Sequence, residues 1–168
     1  QRIEEVREWN RGKRDFRLLA GSEINIGMDG ELDYPDALVE ALDWVIASVH
    51  TSFSISEKEM TGRVLEAIEN PRVDCIGHLT GRLIGRREPY GIDVEAVAAA
   101  AARTGTMIEI NGNPNRRDLS EHHARLAEHT NRFRSQHRHE LLAPLTVCGM
   151  AGDVIEEHVE RGHQQLIA

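Results

Sequence analysis

The sequence predicts an α/β domain built around a parallel sheet, and three observations lead to this fold class. Short apolar runs alternate along the chain with segments of helical periodicity. Single helices separate successive strands, and a crossover of this kind is what joins parallel strands. With 168 residues, 40% of them hydrophobic, and a mean hydropathy of -0.45, the chain fits a globular protein with its own core.

The first elements follow from apolar periodicity and from the residues that interrupt it. Residues 1–11 have apolar residues at helical spacing and predict a helix, which Gly12 ends. The runs FRLLAGSEINI (16–26) and LDWVIASVH (42–50) predict the first two strands. Between them, YPDALVEAL predicts a short helix with Pro35 in its first turn.

The following elements carry clear boundary signals. Ser56, with Glu59 three residues later, forms a capping box, so a helix is expected from there to about Asn70. Asp93 is a second N-cap, and Gly105 ends its helix. The remaining predicted elements are the strands VDCIGH (73–78) and TMIEIN (106–111), the helix SEHHARLAEH (120–129), and a terminal helix in DVIEEHVERGHQQLI (153–167).

Composition excludes several classes of protein. The net charge of -8 argues against a free-standing binder of the nucleic-acid backbone. No apolar run approaches the roughly 20 residues of a membrane span, so no membrane partner is expected. Cys75 and Cys148 form no CxxC pair, which argues against a thiolate zinc site and is compatible with a reducing cytoplasm.

Ligand-type residues follow three successive predicted strands. Glu23, His50 and His78 close these strands at separations of one strand-helix unit each, and Asn111 closes the fourth. The carboxyl ends of parallel strands meet at one edge of a sheet, where α/β proteins assemble their sites. A carboxylate with imidazoles is a ligand set for zinc or manganese. Spacing alone leaves metal binding and a structural role for the histidines about equally open.

The loop after His78 adds basic residues at the same edge. Thr80, Arg82, Arg86 and Arg87 lie there, and arginine forks match phosphate oxygens. Taken alone, this loop fits a solvated basic segment that pairs with surface acids. Beside a metal site, binding of a phosphate substrate by Thr80, Arg82, Arg86 and Asn111 becomes the preferred prediction.

Other histidines are weaker candidates for ligands. His122, His123 and His129 share a predicted helix and are expected mainly to face solvent. His137 and His139 form an HxH pair in a segment without a clear period. The phosphate-binding patterns GxxxxGK[ST] and GxGxxG do not occur in the sequence.

Four segments resemble a known family. LLAGSEINI, LDWVIASVHTSF, GHLTGRLIGRREPYGID and IEINGNPNRRDL are similar to the PHP domain at the carboxyl end of bacterial and archaeal family X DNA polymerases. The resemblance covers residues 1–129. It implies a partial, distorted (β/α)7 barrel, TIM-like and with parallel strands, with up to three metals at its carboxyl-terminal mouth.

The resemblance also implies roles for particular residues. Glu23, His50 and His78 match metal ligands of the family, and Mn²⁺ or Zn²⁺ is the expected metal. The implied activity is metal-dependent phosphodiester hydrolysis, namely 3′-5′ exonuclease action and DNA end processing in DNA repair. The implied partner is DNA, contacted mainly through polymerase domains outside this chain.

The sequence departs from the family pattern at both ends. The family's HxH segment and its later TDH segment do not occur, so the chain is expected to start partway into the domain. No (I/V)NTDAH motif follows residue 129, and residues 130–168 are expected to be divergent or frame-shifted. The ligand set is therefore incomplete in this chain, and whether it is an active hydrolase stays open.

Three hypotheses follow from these features. The chain is the PHP nuclease part of a family X polymerase, or a stand-alone PHP phosphoesterase of histidinol-phosphatase type that acts on a small phosphate ester. The third hypothesis is a non-catalytic structural remnant of the PHP domain. Each predicts the same sheet edge but a different chemistry.

Overall fold

The computed structural model describes residues 2–13, 16–135 and 165–167. Five helices and six strands occur within this part of the chain. The helices are α1 (Arg2–Trp9), α2 (Asp36–Val39), α3 (Glu57–Glu69), α4 (Val94–Thr104) and α5 (Glu121–Ser135). The strands are β1 (Arg17–Leu19), β2 (Gly21–Asn25), β3 (Trp44–Ser48), β4 (Cys75–Ile76), β5 (Met107–Ile108) and β6 (Gln165–Ile167).

The predicted α/β class with a parallel sheet is confirmed. Strands β2, β3, β4 and β5 form a four-stranded sheet in that order, and each neighbouring pair is parallel. Strand order therefore follows chain order, as single crossovers between adjacent strands require. Glu23 lies opposite Ile46 in the register of β2 and β3.

The first predicted strand, 16–26, is two strands rather than one. It divides at Ala20, where the Asp43 carboxylate accepts a hydrogen bond of 3.1 Å from the Ala20 amide. Strand β1 pairs with β6, and β2 pairs with β3. Residues 165–167 are a strand, so the terminal helix predicted over 153–167 is wrong for those three residues.

Local signals account for the helix boundaries. The Ser56–Glu59 capping box is present, and Asn70 is the C-cap of α3. The Asp93 side chain accepts a hydrogen bond from the Ala96 amide at 2.9 Å, and Gly105 ends α4 with a φ of 88°. These helices begin and end within a residue or two of their predicted bounds because capping residues act on adjacent backbone groups.

The two faces of the sheet differ in chemistry. Alternate strand residues such as Ile24, Val45 and Ile76 join the buried core, together with side chains of α3 and α4. The core-facing side chains of these two helices include Met60, Val64, Ile68, Val97 and Ala101. Because successive strand residues point to opposite faces, the intervening residues lie on the face that the core does not use. That face carries Glu23.

Some expectations lie outside this description. His137, His139 and Cys148 fall outside the described residues, and the domain boundary expected near residue 129 stays a prediction. Cys75 is 2% exposed and belongs to the buried hydrophobic residues of the core. Within the described part of the chain, no helix has the length and apolarity that crossing a membrane requires.

Candidate metal centre

The Glu23 carboxylate contacts both of the other predicted donors. Its Oε1 atom lies 2.9 Å from His50 Nε2 and 2.9 Å from His78 Nε2. One carboxylate oxygen thus contacts both imidazoles, and the three side chains come from or directly follow three neighbouring strands. Glu23 lies in the middle of β2, so the prediction that it closes its strand is wrong.

The segment after β3 positions His50. Its backbone amide donates a hydrogen bond of 3.1 Å to Asn25 Oδ1, at the end of β2. Its side chain is 42% exposed, whereas that of His78 is 7% exposed. His50 is therefore the solvent-facing donor and His78 the buried one.

The carboxylate of Glu109, the residue that directly follows β5, accepts a hydrogen bond from the backbone of His78. The His78 amide donates to Glu109 Oε2 at 2.5 Å, while Asn111 Nδ2 donates to Glu109 Oε1 at 3.0 Å. Among the described residues, the buried Nδ1 atom of His78 has no hydrogen-bond partner. The hydrogen bond between Nε2 and Glu23 Oε1 orients the imidazole so that Nε2 lies beside the carboxylate.

Electrostatics keep the central carboxylate ionised. The hydrogen bond with His78 is the largest cause that lowers the pKa of Glu23, to about 2, against the opposing effect of burial. The carboxylate is therefore negatively charged at neutral pH and available as a ligand. At the neighbouring carboxyl of Glu109, burial is the largest cause, and it raises the pKa.

The donors open into a cavity of about 270 Å³. Its walls combine the three predicted donors with four further residues. The lining residues are Glu23, Ile46, His50, His78, Glu109, Asn111 and Arg116. Asn111 thus lies where the strand pattern placed it, although its amide nitrogen is bonded to Glu109.

Sequence reasoning missed Glu109 and Arg116 as wall residues. Glu109 belongs to the predicted strand TMIEIN, two residues before Asn111, and strand alternation puts those two residues on the same face. The two-residue spacing of Glu109 and Asn111 could therefore have predicted that Glu109 faces the site. Arg116 lies in an irregular loop, and no sequence period could have placed it.

Two side chains of the predicted phosphate-binding loop form hydrogen bonds with the loop that follows β5. The Thr80 hydroxyl donates to Asp118 Oδ1 at 2.8 Å, and Arg82 Nε donates to the Arg116 carbonyl at 2.9 Å. Arg86 is exposed. None of these three side chains is among the residues that line the cavity. Their role in substrate binding stays a prediction.

The donor set fits a divalent cation. One nitrogen or oxygen atom from each of Glu23, His50 and His78 lies within 4.8 Å of the others. Two imidazole nitrogens and a carboxylate oxygen are the ligands that zinc and manganese accept. These three residues could hold one metal ion, with the cavity leaving positions for further ligands.

Fold and site together define a class: a parallel α/β domain with a candidate metal centre where the segments that follow its strands meet. Over 123 residues, or 73% of the chain, the sequence is 43% identical to the DNA polymerase/3'-5' exonuclease PolX of Bacillus subtilis. It is 40% identical over 100 residues to a probable phosphatase of Syntrophotalea carbinolica. It is 42% identical over 100 residues to a probable phosphatase of Thermoanaerobacter sp. strain X514.

These similarities confirm the predicted resemblance to the family X polymerases and are consistent with a PHP-type domain. The chain spans 22% of the length of the polymerase and 39% and 38% of the two phosphatases. No family model matches the chain.

Proposed function

We propose that this chain is a metal-dependent phosphoesterase domain that hydrolyses phosphodiester bonds at DNA 3′ ends. The observation that carries the proposal is the convergence of Glu23, His50 and His78 on one point beside a polar cavity. The similarity to a polymerase with 3'-5' exonuclease in its name supports the phosphodiester substrate. DNA repair is the corresponding cellular role.

We propose separate roles for the metal donors and for Glu109. Glu23, His50 and His78 would hold Mn²⁺ or Zn²⁺, with Glu23 ionised at neutral pH because its pKa is lowered to about 2. Bound there, such an ion would supply positive charge to a phosphate oxygen and acidify a water molecule. Glu109 fixes the backbone at His78 and orients Asn111 towards the same cavity.

The proposal includes the wider architecture. A parallel sheet whose helices pack on one face, with the site on the other, is compatible with part of a (β/α)7 barrel. We propose that the described sheet is four successive strands of such a barrel. DNA would then be contacted by further domains, in keeping with the net charge of -8.

A second candidate function is hydrolysis of a small phosphate monoester, as in a histidinol phosphatase. It is favoured by the 40% and 42% identity to two probable phosphatases. The same donors would serve either substrate, because both reactions need charge at a phosphate oxygen.

The test measures nucleotide release from 3′-labelled single-stranded DNA by the full chain with Mn²⁺ or Zn²⁺. Hydrolysis of histidinol phosphate is measured in parallel. We expect release from DNA, abolished by Glu23→Ala and by His50→Ala. His122→Ala is the matched control, because His122 lies on α5 outside the cavity.

Three outcomes would contradict the first proposal. Hydrolysis of histidinol phosphate without release from DNA would favour the second function. If Glu23→Ala and His50→Ala both keep the activities of the unmodified chain, the candidate centre is not the site of hydrolysis. A chain that binds metal but hydrolyses neither substrate would be the non-catalytic remnant.

A further inference from the structure

Asp118 is a buried carboxylate between two loops of the candidate metal centre. It lies in the loop between β5 and α5 and is 0% exposed. Its Oδ1 accepts a hydrogen bond of 2.8 Å from the Thr80 hydroxyl, and its Oδ2 accepts one of 3.0 Å from the Thr80 amide. The Arg82 amide donates to Oδ2 at 3.3 Å. The carboxylate therefore binds both the backbone and a side chain of the loop that follows β4.

The backbone of Asp118 contacts a second segment of the site. The Asn111 amide donates to the Asp118 carbonyl at 2.5 Å, and the two residues form an isolated antiparallel bridge. Asn111 lines the cavity. Through its side chain and its backbone, Asp118 thus joins the loop after β4 to the segment after β5.

His78, the buried donor, begins the loop that Asp118 binds. Its φ is 28°, in the left-handed region that residues other than glycine seldom occupy. Such a conformation persists only where surrounding contacts impose it. The His78 amide donates to Glu109 Oε2, and its carbonyl accepts a hydrogen bond of 2.8 Å from the Gly81 amide. Thr80 lies inside this turn, so Asp118 fixes the turn from the side opposite to the Glu109 contact in the chain.

We propose that Asp118 is a positioning residue of the candidate metal centre and acts on the metal through His78. The inference rests on the proposed metal-dependent function. Asp118 belongs neither to the donor group nor to the cavity wall, so it reaches the ion only through the loop that it fixes. Removing contacts that orient a metal ligand typically weakens metal binding by about 10–100-fold.

The rival explanation is that Asp118 only stabilises the fold. Its removal would then lower the free energy of unfolding, and any loss of metal affinity would not depend on His78. A double-mutant cycle with His78→Ala separates the two explanations, because two residues that act through one contact are not additive.

The experiment measures the Mn²⁺ affinity of the full chain by calorimetry for Asp118→Asn, His78→Ala and the double variant. Asparagine keeps the shape of the side chain but turns an NH₂ group towards the donors of Thr80 and Arg82. Urea unfolding is recorded on the same samples. Amide hydrogen exchange of the metal-free chain reports on loop 78–82 directly.

Two further sets of variants complete the experiment. Thr80→Val removes one hydrogen bond to Asp118, whereas Thr80→Ser keeps the hydroxyl. Asp74→Asn is the matched control, because the Asp74 carboxylate also accepts from a backbone amide, that of Val45 at 2.7 Å. Asp74 directly precedes β4 and therefore lies at the opposite end of that strand from His78.

We expect Asp118→Asn to lower Mn²⁺ affinity about tenfold and to speed exchange within loop 78–82 alone. In the His78→Ala chain it should cause no further loss of Mn²⁺ affinity. Thr80→Val should show a smaller loss than Asp118→Asn. Thr80→Ser and Asp74→Asn should bind Mn²⁺ like the unmodified chain.

Three results would overturn the inference while Mn²⁺ binding by the unmodified chain leaves the proposed function standing. They are unchanged Mn²⁺ affinity in Asp118→Asn, an equal loss with and without His78, and faster exchange across the whole sheet. If His78→Ala binds no measurable Mn²⁺, equal affinities of Thr80→Val and Thr80→Ser would overturn it instead. If the unmodified chain binds no divalent metal, the proposed function fails and this inference fails with it.

Discussion

At the scale of a single residue, Gly77 shows how closely the strands approach beside the candidate metal centre. A Cβ atom at this position would lie 2.4 Å from Ser48 Oγ and 3.0 Å from Ile46 Cγ2. Both neighbours belong to β3, whereas Gly77 comes just before the donor His78. A side chain at position 77 would therefore have to separate the segments that carry two of the donors.

Gly77→Ala should lower the free energy of unfolding by about 1–3 kcal/mol, because it overpacks a well-filled contact. It should also weaken Mn²⁺ binding, since His78 moves with its neighbour. Urea unfolding and calorimetric metal titration measure the two effects.

Gly62→Ala is the matched control for this substitution. Gly62 lies inside α3, and a Cβ atom there would meet nothing within 4 Å. Alanine at that position should stabilise the protein by about 0.5–1 kcal/mol, because glycine is a poor helix former. Equal effects of the two substitutions would refute the packing argument at Gly77.

At the scale of the element, α3 holds two loops of the site through a buried arginine. Arg63 is 2% exposed and donates from Nε to the Gly27 carbonyl at 2.8 Å. Its Nη1 donates to the Thr51 carbonyl at 3.0 Å, and Nη2 donates to the Ile26 carbonyl. These carbonyls belong to the segments that follow β2 and β3, and Thr51 directly follows His50.

Arg63→Met should lower the free energy of unfolding by on the order of 3 kcal/mol. The substitution keeps much of the side-chain volume but leaves buried carbonyl groups without donors, each at a cost of about 1–3 kcal/mol. Urea unfolding of the metal-free chain measures the change.

Arg72→Met tests whether loss of any arginine gives the same result. Arg72 is 52% exposed, with a Glu40 carboxylate oxygen at 3.9 Å. Exposed pairs of this kind contribute about 0–1 kcal/mol, so the change should be small. A similar loss in both variants would argue against a positioning role for Arg63.

At the scale of the whole molecule, the donor set exists only when the sheet is formed. His78 and Glu23 are 55 residues apart in the chain, and their side chains meet because β2, β3 and β4 are neighbours. An unfolded chain does not hold the three donors together. Metal binding should therefore be coupled to folding.

Mn²⁺ or Zn²⁺ at 100 times its dissociation constant should raise the free energy of unfolding by about 2.7 kcal/mol. Thermal unfolding with and without a chelator measures this effect. His78→Ala should remove it, whereas His122→Ala should retain it. A midpoint that does not respond to metal in the unmodified chain would contradict the candidate centre.

Much of the fold could be predicted because its signals are local. The capping box at Ser56, the cap at Asp93 and the left-handed Gly105 act on backbone groups a few residues away. Alternating strands and helices then imply parallel pairing. The resulting sheet edge brought together Glu23, His50 and His78, whose residue types suit a metal.

Other features depend on partners that are distant along the chain. Glu109 accepts from the His78 amide across 31 residues, and Arg63 contacts the Ile26 carbonyl across 37. Where the first predicted strand divides, the Ala20 amide likewise donates to the Asp43 carboxylate across 23 residues. No local period reports such contacts, because packing of separate loops creates them.

Local patterns in the sequence predict the parallel strands β2 to β5, the bounds of α3 and α4, and Glu23, His50 and His78 as candidate donors. Only tertiary packing places Arg116 on the cavity wall and directs the Arg82 side chain to backbone carbonyls of the loop after β5. An arginine's role depends on which acceptors and charges surround its guanidinium. Those surroundings are assembled only when the loops after β4 and β5 pack together.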